Sequence, residues 1–370
     1  MASASVIDPD IIITNLHRRY TGVSGTINAL LPVQSRDLRI GFVGTDLPGA
    51  AIAETVNPNN FVRLSLWQAI RLSRQPLANG RKRIWHVRRD PEMMIGIILR
   101  DLLRFPIRLV FTSAAKHRHS WFPRWLISRM DAVIATTPEA ASFVPNTSKV
   151  VFHGASLDRF SPPEDKRSVW RQSGLRGQYG IGVFGRIRPS KGTDIFVDAM
   201  LKVLPDFPDF TAIICGLCQP SEQAYKQAML DKIASSGQSE QIVFLGDLPL
   251  DDIPTWYRNV TIMVACPRYE PFGITPLEAM ASSCAVIASR TGAFEHIVEP
   301  EQTGLLVPTD DVEALAKALR KLMSDPEKAI AMGQRGRERV AAKFSIEQEA
   351  AGIQSVYALL NDSIDKPEQC

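Results

Sequence analysis

Short apolar runs alternate with longer amphipathic stretches from one end of the chain to the other, and this alternation restricts the fold more than any other feature. In the first half, Asp10 to Thr14, Arg39 to Val43, Arg83 to Val87, Leu109 to Thr112, Ala132 to Ala135 and Lys149 to Phe152 read as strands. Several are separated by ten or more residues, enough for a crossover helix, and strands joined by crossovers run parallel. Ser161-Pro-Pro-Glu-Asp-Lys-Arg167 then breaks the pattern with a polar, proline-bearing stretch that reads as a linker. The grammar restarts beyond it with Gly180 to Phe184, Thr211 to Cys215, Ile242 to Leu245, Thr261 to Ala265 and Ala285 to Ser289. Two doubly wound α/β domains are predicted, over 1–165 and 166–344. The amphipathic segment within 345–370 is expected to return to the first. At 370 residues the chain is long enough for two such cores. In open sheets of this kind ligands bind beyond the carboxyl ends of the strands, so the loops there are where chemistry is sought.

No apolar run reaches the length of a membrane span, and Met1 to Asp10 lacks a basic segment followed by an apolar one, so a cytoplasmic protein is expected. Five cysteines, mostly in apolar strand-like runs, read as buried thiols; the lone Cys215, Cys218 pair has no second pair or histidines to make a metal site. Charge is unevenly spread. Between Arg63 and Arg129 there are 15 basic residues and 3 acidic ones, interleaved with Trp67, Trp85, Trp121 and Trp125. Such a face either attracts an anionic partner (nucleic acid, acidic headgroups or an anionic saccharide) or is a solvated basic surface. No compact nucleic-acid motif accompanies it and the second half is acidic overall, so no nucleic-acid partner is expected.

The most informative stretch is Arg268-Tyr-Glu-Pro-Phe-Gly-Ile-Thr-Pro-Leu-Glu-Ala-Met280, which follows a strand and opens a helix. Gly273 allows close approach of a ligand, and the amides of Ile274 and Thr275 enter a helix start suited to a diphosphate. Glu278, one turn into that helix, is an acceptor for ribose or sugar hydroxyls, because a carboxylate repels phosphate. Glu270, on the preceding loop, is a second acceptor that can reach the same ligand's hydroxyls. The second element is Phe184-Gly-Arg-Ile-Arg-Pro-Ser-Lys-Gly192, again directly after a strand. Arg186 and Lys191 put two positive charges where a departing diphosphate needs neutralising, without a metal. Asp251-Asp252 lacks the spacing of a metal-binding pair and suits a helix start instead. No G-x-G-x-x-G follows the first strand, which disfavours a dehydrogenase.

Gly185-Arg-Ile-Arg-Pro-Ser-Lys-Gly192, Glu270-Pro-Phe-Gly-Ile-Thr-Pro-Leu-Glu278 and Thr303-Gly-Leu-Leu-Val-Pro308 resemble the C-terminal signature of family 4 glycosyltransferases. The resemblance implies a GT-B fold, with two Rossmann-like domains facing across a cleft, and hexosyl transfer with retention of configuration. It makes Arg186 and Lys191 the diphosphate binders, Phe272, Gly273, Ile274 and Thr275 a backbone cradle, Glu278 the ribose ligand and Glu270 the contact to donor hydroxyls, with Gly185, Gly292 and Ala293 at the same pocket. Thr21-Gly-Val-Ser-Gly25 is similar to the family's glycine loop, where Gly22 approaches the donor sugar. His153-Gly-Ala-Ser-Leu-Asp-Arg-Phe160 resembles the segment leading to the linker, with Ser156 in place of the usual aspartate. In Phe111-Thr-Ser-Ala-Ala-Lys-His-Arg-His-Ser120, Ser113 or Ala114 holds the place of a histidine that many members carry, while His117 and His119 come slightly later.

Arg88-Arg-Asp-Pro-Glu-Met93 and Ser120-Trp-Phe-Pro-Arg-Trp-Leu126 further resemble lipopolysaccharide-core mannosyltransferases of Gram-negative bacteria. That implies GDP-mannose as donor and the inner-core 3-deoxy-octulosonate of a lipid A precursor as acceptor, at the cytoplasmic face of the inner membrane, with neither cofactor nor metal. Arg88, Arg89, Lys116, His117, Arg118 and His119 are then the expected contacts to an anionic acceptor. A UDP-sugar-dependent glucosyl- or galactosyltransferase and a non-catalytic nucleotide-sugar-binding protein are the competing readings.

Overall fold

Apolar residues of the strands are buried on both faces of each sheet, as expected for parallel strands covered by helices. The computed structural model describes residues 7–362; residues 1–6 and 363–370, which include the ends of the expected leaderless N-terminus and returning helix, lie outside them. The first sheet holds β1 (Ile11–Asn15), β2 (Ile40–Gly44), β3 (Phe61–Arg63), β4 (Arg83–Val87), β5 (Ile107–Ser113), β6 (Ala132–Ala135) and β7 (Thr147–Val150) in the order β3-β2-β1-β4-β5-β6-β7. The second holds β8 (Tyr179–Phe184), β9 (Phe210–Cys215), β10 (Ile242–Gly246), β11 (Val260–Ala265), β12 (Ala285–Ser289) and β13 (Gly304–Val307) in the order β10-β9-β8-β11-β12-β13.

Both sheets therefore wind the same way. The chain travels outward over three strands, then returns to the far side of the first, so a switch in direction lies between β1 and β4 in one sheet and between β8 and β11 in the other. At such a switch the loops beyond the strands diverge and leave a crevice.

The chain divides into two compact units, 1–153 with 346–370, and 154–345. The division falls upstream of the proline-bearing stretch 161–167 that reads as a linker. That stretch runs into the second unit because Lys166, buried, donates to the carbonyls of Ser282 at 2.8 Å, Val260 at 2.9 Å and Arg258 at 3.1 Å. Four carbonyl oxygens around one ammonium, counting that of Tyr257, together with the Cys284 sulfur at 3.5 Å, offset the cost of its burial. At the other end, helix Ile346–Asp362 returns to the first unit, where Ile346, Ala350, Ile353, Val356, Tyr357 and Leu360 join the core that includes Ile11, Ile84 and Ile134. Their spacing keeps one helical face on the sheet.

β3 and β13 carry no clear signal in the sequence, and β7 starts two residues before the expected Lys149. All three are edge strands. An edge strand has a single neighbour and partial cover, so it needs less apolar sequence; β7, Thr-Ser-Lys-Val, has no fully buried residue.

Candidate active site

In the second unit, the crevice between β8 and β11 is a cleft whose lining includes Gly185, Arg186, Lys191, Glu270, Thr275 and Phe294. The turn after β8 runs through a short 3-10 helix, Pro189–Lys191, to Gly192, which is left-handed at φ 70° and opens helix Thr193–Val203. A Cβ at Gly192 would lie 2.0 Å from the carbonyl oxygen of Cys266, so only glycine lets this turn close against the end of β11. The Cys266 thiol donates to the Gly192 carbonyl at 3.2 Å, and burial pushes that thiol up to about 12.

This closure brings Lys191 beside Glu270, and their side chains form an ion pair at the cleft. The cleft thus holds a cation suited to phosphate oxygens next to a carboxylate suited to hydroxyls. The loop carrying Glu270 is fixed from behind. Arg268 donates to both carboxylate oxygens of Asp194, at 2.9 and 2.8 Å, and to Asp310 at 2.8 Å, while the Tyr225 hydroxyl donates to Asp194 at 2.7 Å. Burial raises the Asp194 pKa, but the bonds from Arg268 and Tyr225 outweigh it and hold the carboxyl below its ordinary range. A two-toothed guanidinium–carboxylate contact fixes orientation as well as distance.

Gly273, at φ 82°, packs so tightly that a Cβ would meet the Phe294 ring at 2.3 Å. Phe272 is buried, and its carbonyl accepts from the amide of Ala293 at 3.1 Å, next to Gly292. Helix Thr275–Ala281 starts at Ile274 with no side-chain cap. The structure therefore gathers Gly185, Arg186, Lys191, Glu270 and Thr275 around one cleft, while Phe272, Gly273, Ile274 and Gly292 lie on the adjoining loops and are not part of its lining.

Glu278 lies in the first turn of helix Thr275–Ala281. It is not among the residues lining the cleft; one carboxylate oxygen accepts from the Tyr257 hydroxyl at 3.0 Å. Burial raises the Glu278 carboxyl to about 7 against the lowering effect of the Tyr257 bond. Tyr257 is itself buried, stacked on Phe184 with ring centroids 4.0 Å apart and met edge-on by Phe160. Asp252 takes the start of helix Ile253–Asn259 but makes no side-chain cap bond, a departure from the helix-capping role.

The first unit's crevice, between β1 and β4, is organised by Glu92, which lies within the stretch Arg88 to Met93 but has no role assigned to it by the sequence. Buried at the start of helix Asp90–Ile97, it accepts from the Leu16 amide at 3.0 Å, the Arg88 amide at 2.9 Å and the Thr14 hydroxyl at 2.9 Å. One carboxylate thereby pins the loops after both strands. Apart from that stretch, its sequence signal is an acid in the first turn of a helix. Gly22 begins helix Gly22–Gln34, and Arg89 donates to the hydroxyl of its cap, Thr21, at 2.7 Å.

Arg88 is buried, and both it and Arg89 carry a buried Nη1 with no hydrogen-bond partner among the described residues. Burial lowers the Arg88 pKa, opposed by Tyr357, Glu92 and Glu349 nearby. Lys116, His117, Arg118 and His119 lie on the loop after β5, whose strand pairs with β4, so their loop emerges at the same sheet edge as Arg88. The rings of His117 and His119 meet edge-on, and Ser113, where a histidine is common in the resembling family, ends β5 and accepts from the Ala115 amide at 3.3 Å. Behind this crevice His86 is buried between the Tyr357 hydroxyl at 2.5 Å and the Thr112 hydroxyl at 2.7 Å, and burial holds its pKa well below the ordinary value. It serves as a neutral link to the returning helix.

Residues 167–339 match the family described as glycosyl transferases group 1. Over 358 residues the chain is 41% identical to a lipopolysaccharide core biosynthesis mannosyltransferase of Rhizobium leguminosarum bv. viciae, spanning 96% of this chain and 98% of that one. It is 39% identical over 360 residues to a protein of the same description from Rhizobium meliloti (strain 1021), spanning 95% and 98%. Among solved structures, an Anabaena protein bound to UDP and glucose superposes with a TM-score of 0.77 over 94% of this chain and 99% of its own, at 17% identity.

Proposed function

This chain is a glycosyltransferase of group 1 with the GT-B fold, and from that premise we propose that it moves mannose from GDP-mannose onto the inner-core 3-deoxy-octulosonate of a lipid A precursor, retaining configuration, in lipopolysaccharide core assembly. The supporting observation is the cleft at the β8/β11 switch, where Lys191 and Arg186 stand beside Glu270. Two relatives named for core mannosyl transfer, similar over nearly their whole length, support the sugar and the pathway.

On this reading Lys191 and Arg186 bind the diphosphate, the loop from Phe272 to Thr275 cradles it, Glu270 holds the hexose hydroxyls, Glu278 the ribose, and Gly22 approaches the donor sugar. The acceptor hydroxyl attacks the anomeric carbon from the side the diphosphate leaves, its oxygen forming the new bond while its proton passes to a departing phosphate oxygen. Catalysis is then positioning plus stabilisation of charge on the leaving group. No metal is needed, so chelation by EDTA leaves turnover unchanged. Arg88, Arg89, Lys116 and Arg118, with His117 and His119, receive the acceptor's carboxylates, and the unpartnered guanidinium N–H groups of Arg88 and Arg89 suit that task. Such an acceptor places the enzyme peripherally at the cytoplasmic face of the inner membrane.

The test is to incubate the protein with radiolabelled GDP-mannose, UDP-glucose and UDP-galactose in turn, together with a lipid A precursor bearing 3-deoxy-octulosonate. GDP-mannose alone labels the lipid if the proposal holds. Labelling from a UDP-hexose instead assigns the protein to the rival donor class.

A further inference from the structure

Tyr257 is one of the largest fully buried side chains, and the transfer described above gives it no task. It is held at both ends. Its carbonyl accepts from the Cys284 thiol at 3.0 Å and from the Lys166 ammonium at 3.3 Å, while its ring stacks on Phe184 with centroids 4.0 Å apart and is met edge-on by Phe160 at 5.6 Å. Phe184 lines the cleft between β8 and β11, so Tyr257 stands one ring behind that lining.

A phenylalanine would make the same ring contacts. The hydroxyl is therefore the part that packing does not require, and a buried hydroxyl is costly unless it has a partner. Among the described residues that partner is Glu278, whose Oε2 accepts from it at 3.0 Å. Burial and the neighbouring carboxylate push the phenol well above its ordinary pKa, so it stays protonated and donates. Glu278 keeps partial exposure, and its second oxygen, Oε1, makes no hydrogen bond among the described residues and is not sealed from solvent. A free glutamate side chain samples many rotamers. With one oxygen bonded to a ring that cannot move, the other is left pointing one way, and freedom removed before a ligand arrives is not lost again on binding.

We propose that Tyr257 is a positioning residue for the nucleotide's ribose: its hydroxyl fixes Oε2 of Glu278 so that Oε1 is presented to the ribose hydroxyls. The proposal rests on the ribose reading of Glu278 given above and adds the residue through which that carboxylate is aimed.

The experiment is calorimetric titration of GDP and 2′,3′-dideoxy-GDP, and of the matching uridine pair, into wild type, Tyr257→Phe, Glu278→Ala and the double variant. The two bases make the outcome independent of which one the protein prefers. Wild type binds the ribose nucleotide more tightly than its dideoxy partner. Tyr257→Phe, which keeps both ring contacts, binds the ribose nucleotide about tenfold more weakly and the dideoxy nucleotide as wild type does; in the Glu278→Ala background the same substitution changes nothing. A tyrosine that merely fills space would weaken both nucleotides alike or neither, and its loss would add to that of Glu278→Ala. Either of those results overturns the proposal. Should Tyr257→Phe melt at a lower temperature, titration below its transition still decides, because the dideoxy nucleotide reports whether the cleft is intact. A ribose preference that depends on Glu278 and not on Tyr257 sinks the proposal alone, whereas a wild type without ribose preference, or without affinity for any of the four nucleotides, sinks the ribose reading and the proposal together.

Discussion

The two switch crevices are built by the same winding and furnished in opposite ways. Between β8 and β11, charge is balanced within the protein: Lys191 pairs with Glu270, and Arg268 with Asp194 and Asp310. Between β1 and β4, the buried carboxylate of Glu92 is occupied by two backbone amides and a hydroxyl, while Arg88 and Arg89 keep buried N–H groups without a partner among the described residues. Topology decides where a ligand can sit. Side chains decide which ligand: a balanced cleft suits one that carries both phosphate and hydroxyl groups, and an unbalanced cationic one suits a purely anionic group.

The largest effect that would break this contrast belongs to Lys191. On the proposed mechanism Lys191→Ala lowers turnover roughly a hundredfold or more, read as kcat under saturating donor and acceptor. Near-normal turnover removes Lys191 from the chemistry. Next comes the floor of the other crevice, where Glu92→Gln sets an amide donor against N–H and O–H groups that need an acceptor. Denaturant unfolding should show a loss of about 2 kcal/mol, and an unchanged midpoint would deny Glu92 its role in joining the two loops.

Arg88→Ala separates the crevices by function. It raises the KM for acceptor roughly tenfold and leaves the KM for donor unaltered. Because Arg88 is a buried cation with an unsatisfied N–H, its removal also leaves the melting temperature level or higher, whereas a merely structural arginine would lower it. The smallest effect concerns Glu278. Burial raises its carboxyl from 4.5 to about 7, so the folded protein holds that proton more tightly than the unfolded chain. Its contribution is full below about pH 4.5 and is lost as pH rises through 7. Glu278→Gln, neutral throughout, flattens that decline between pH 5 and 8; identical profiles for variant and wild type would mean the carboxyl titrates normally.

Much of this was legible in residue order. The central strands announced themselves because parallel strands covered on both faces need unbroken apolar runs, as in Ala285 to Ser289. The loops around Gly192 and Gly273 were legible because their backbones admit no other residue. What stayed hidden depends on partners distant in sequence. Tyr257 is an ordinary helix residue until Glu278 and Phe184 close around it, and Asp194, Tyr225 and Arg268 have no local spacing that joins them. Glu92 likewise gains its role only when β1 and β4 lie side by side. The edge strands β3 and β13 escaped notice because one-sided pairing asks little of sequence.

The most direct test of the contrast is calorimetric titration of GDP-mannose into wild type, Lys191→Ala and Arg88→Ala. Wild type and Arg88→Ala should bind it with equal affinity, and Lys191→Ala at least about tenfold more weakly. Loss of donor binding in Arg88→Ala with full retention in Lys191→Ala would place the nucleotide sugar in the other crevice and contradict the account.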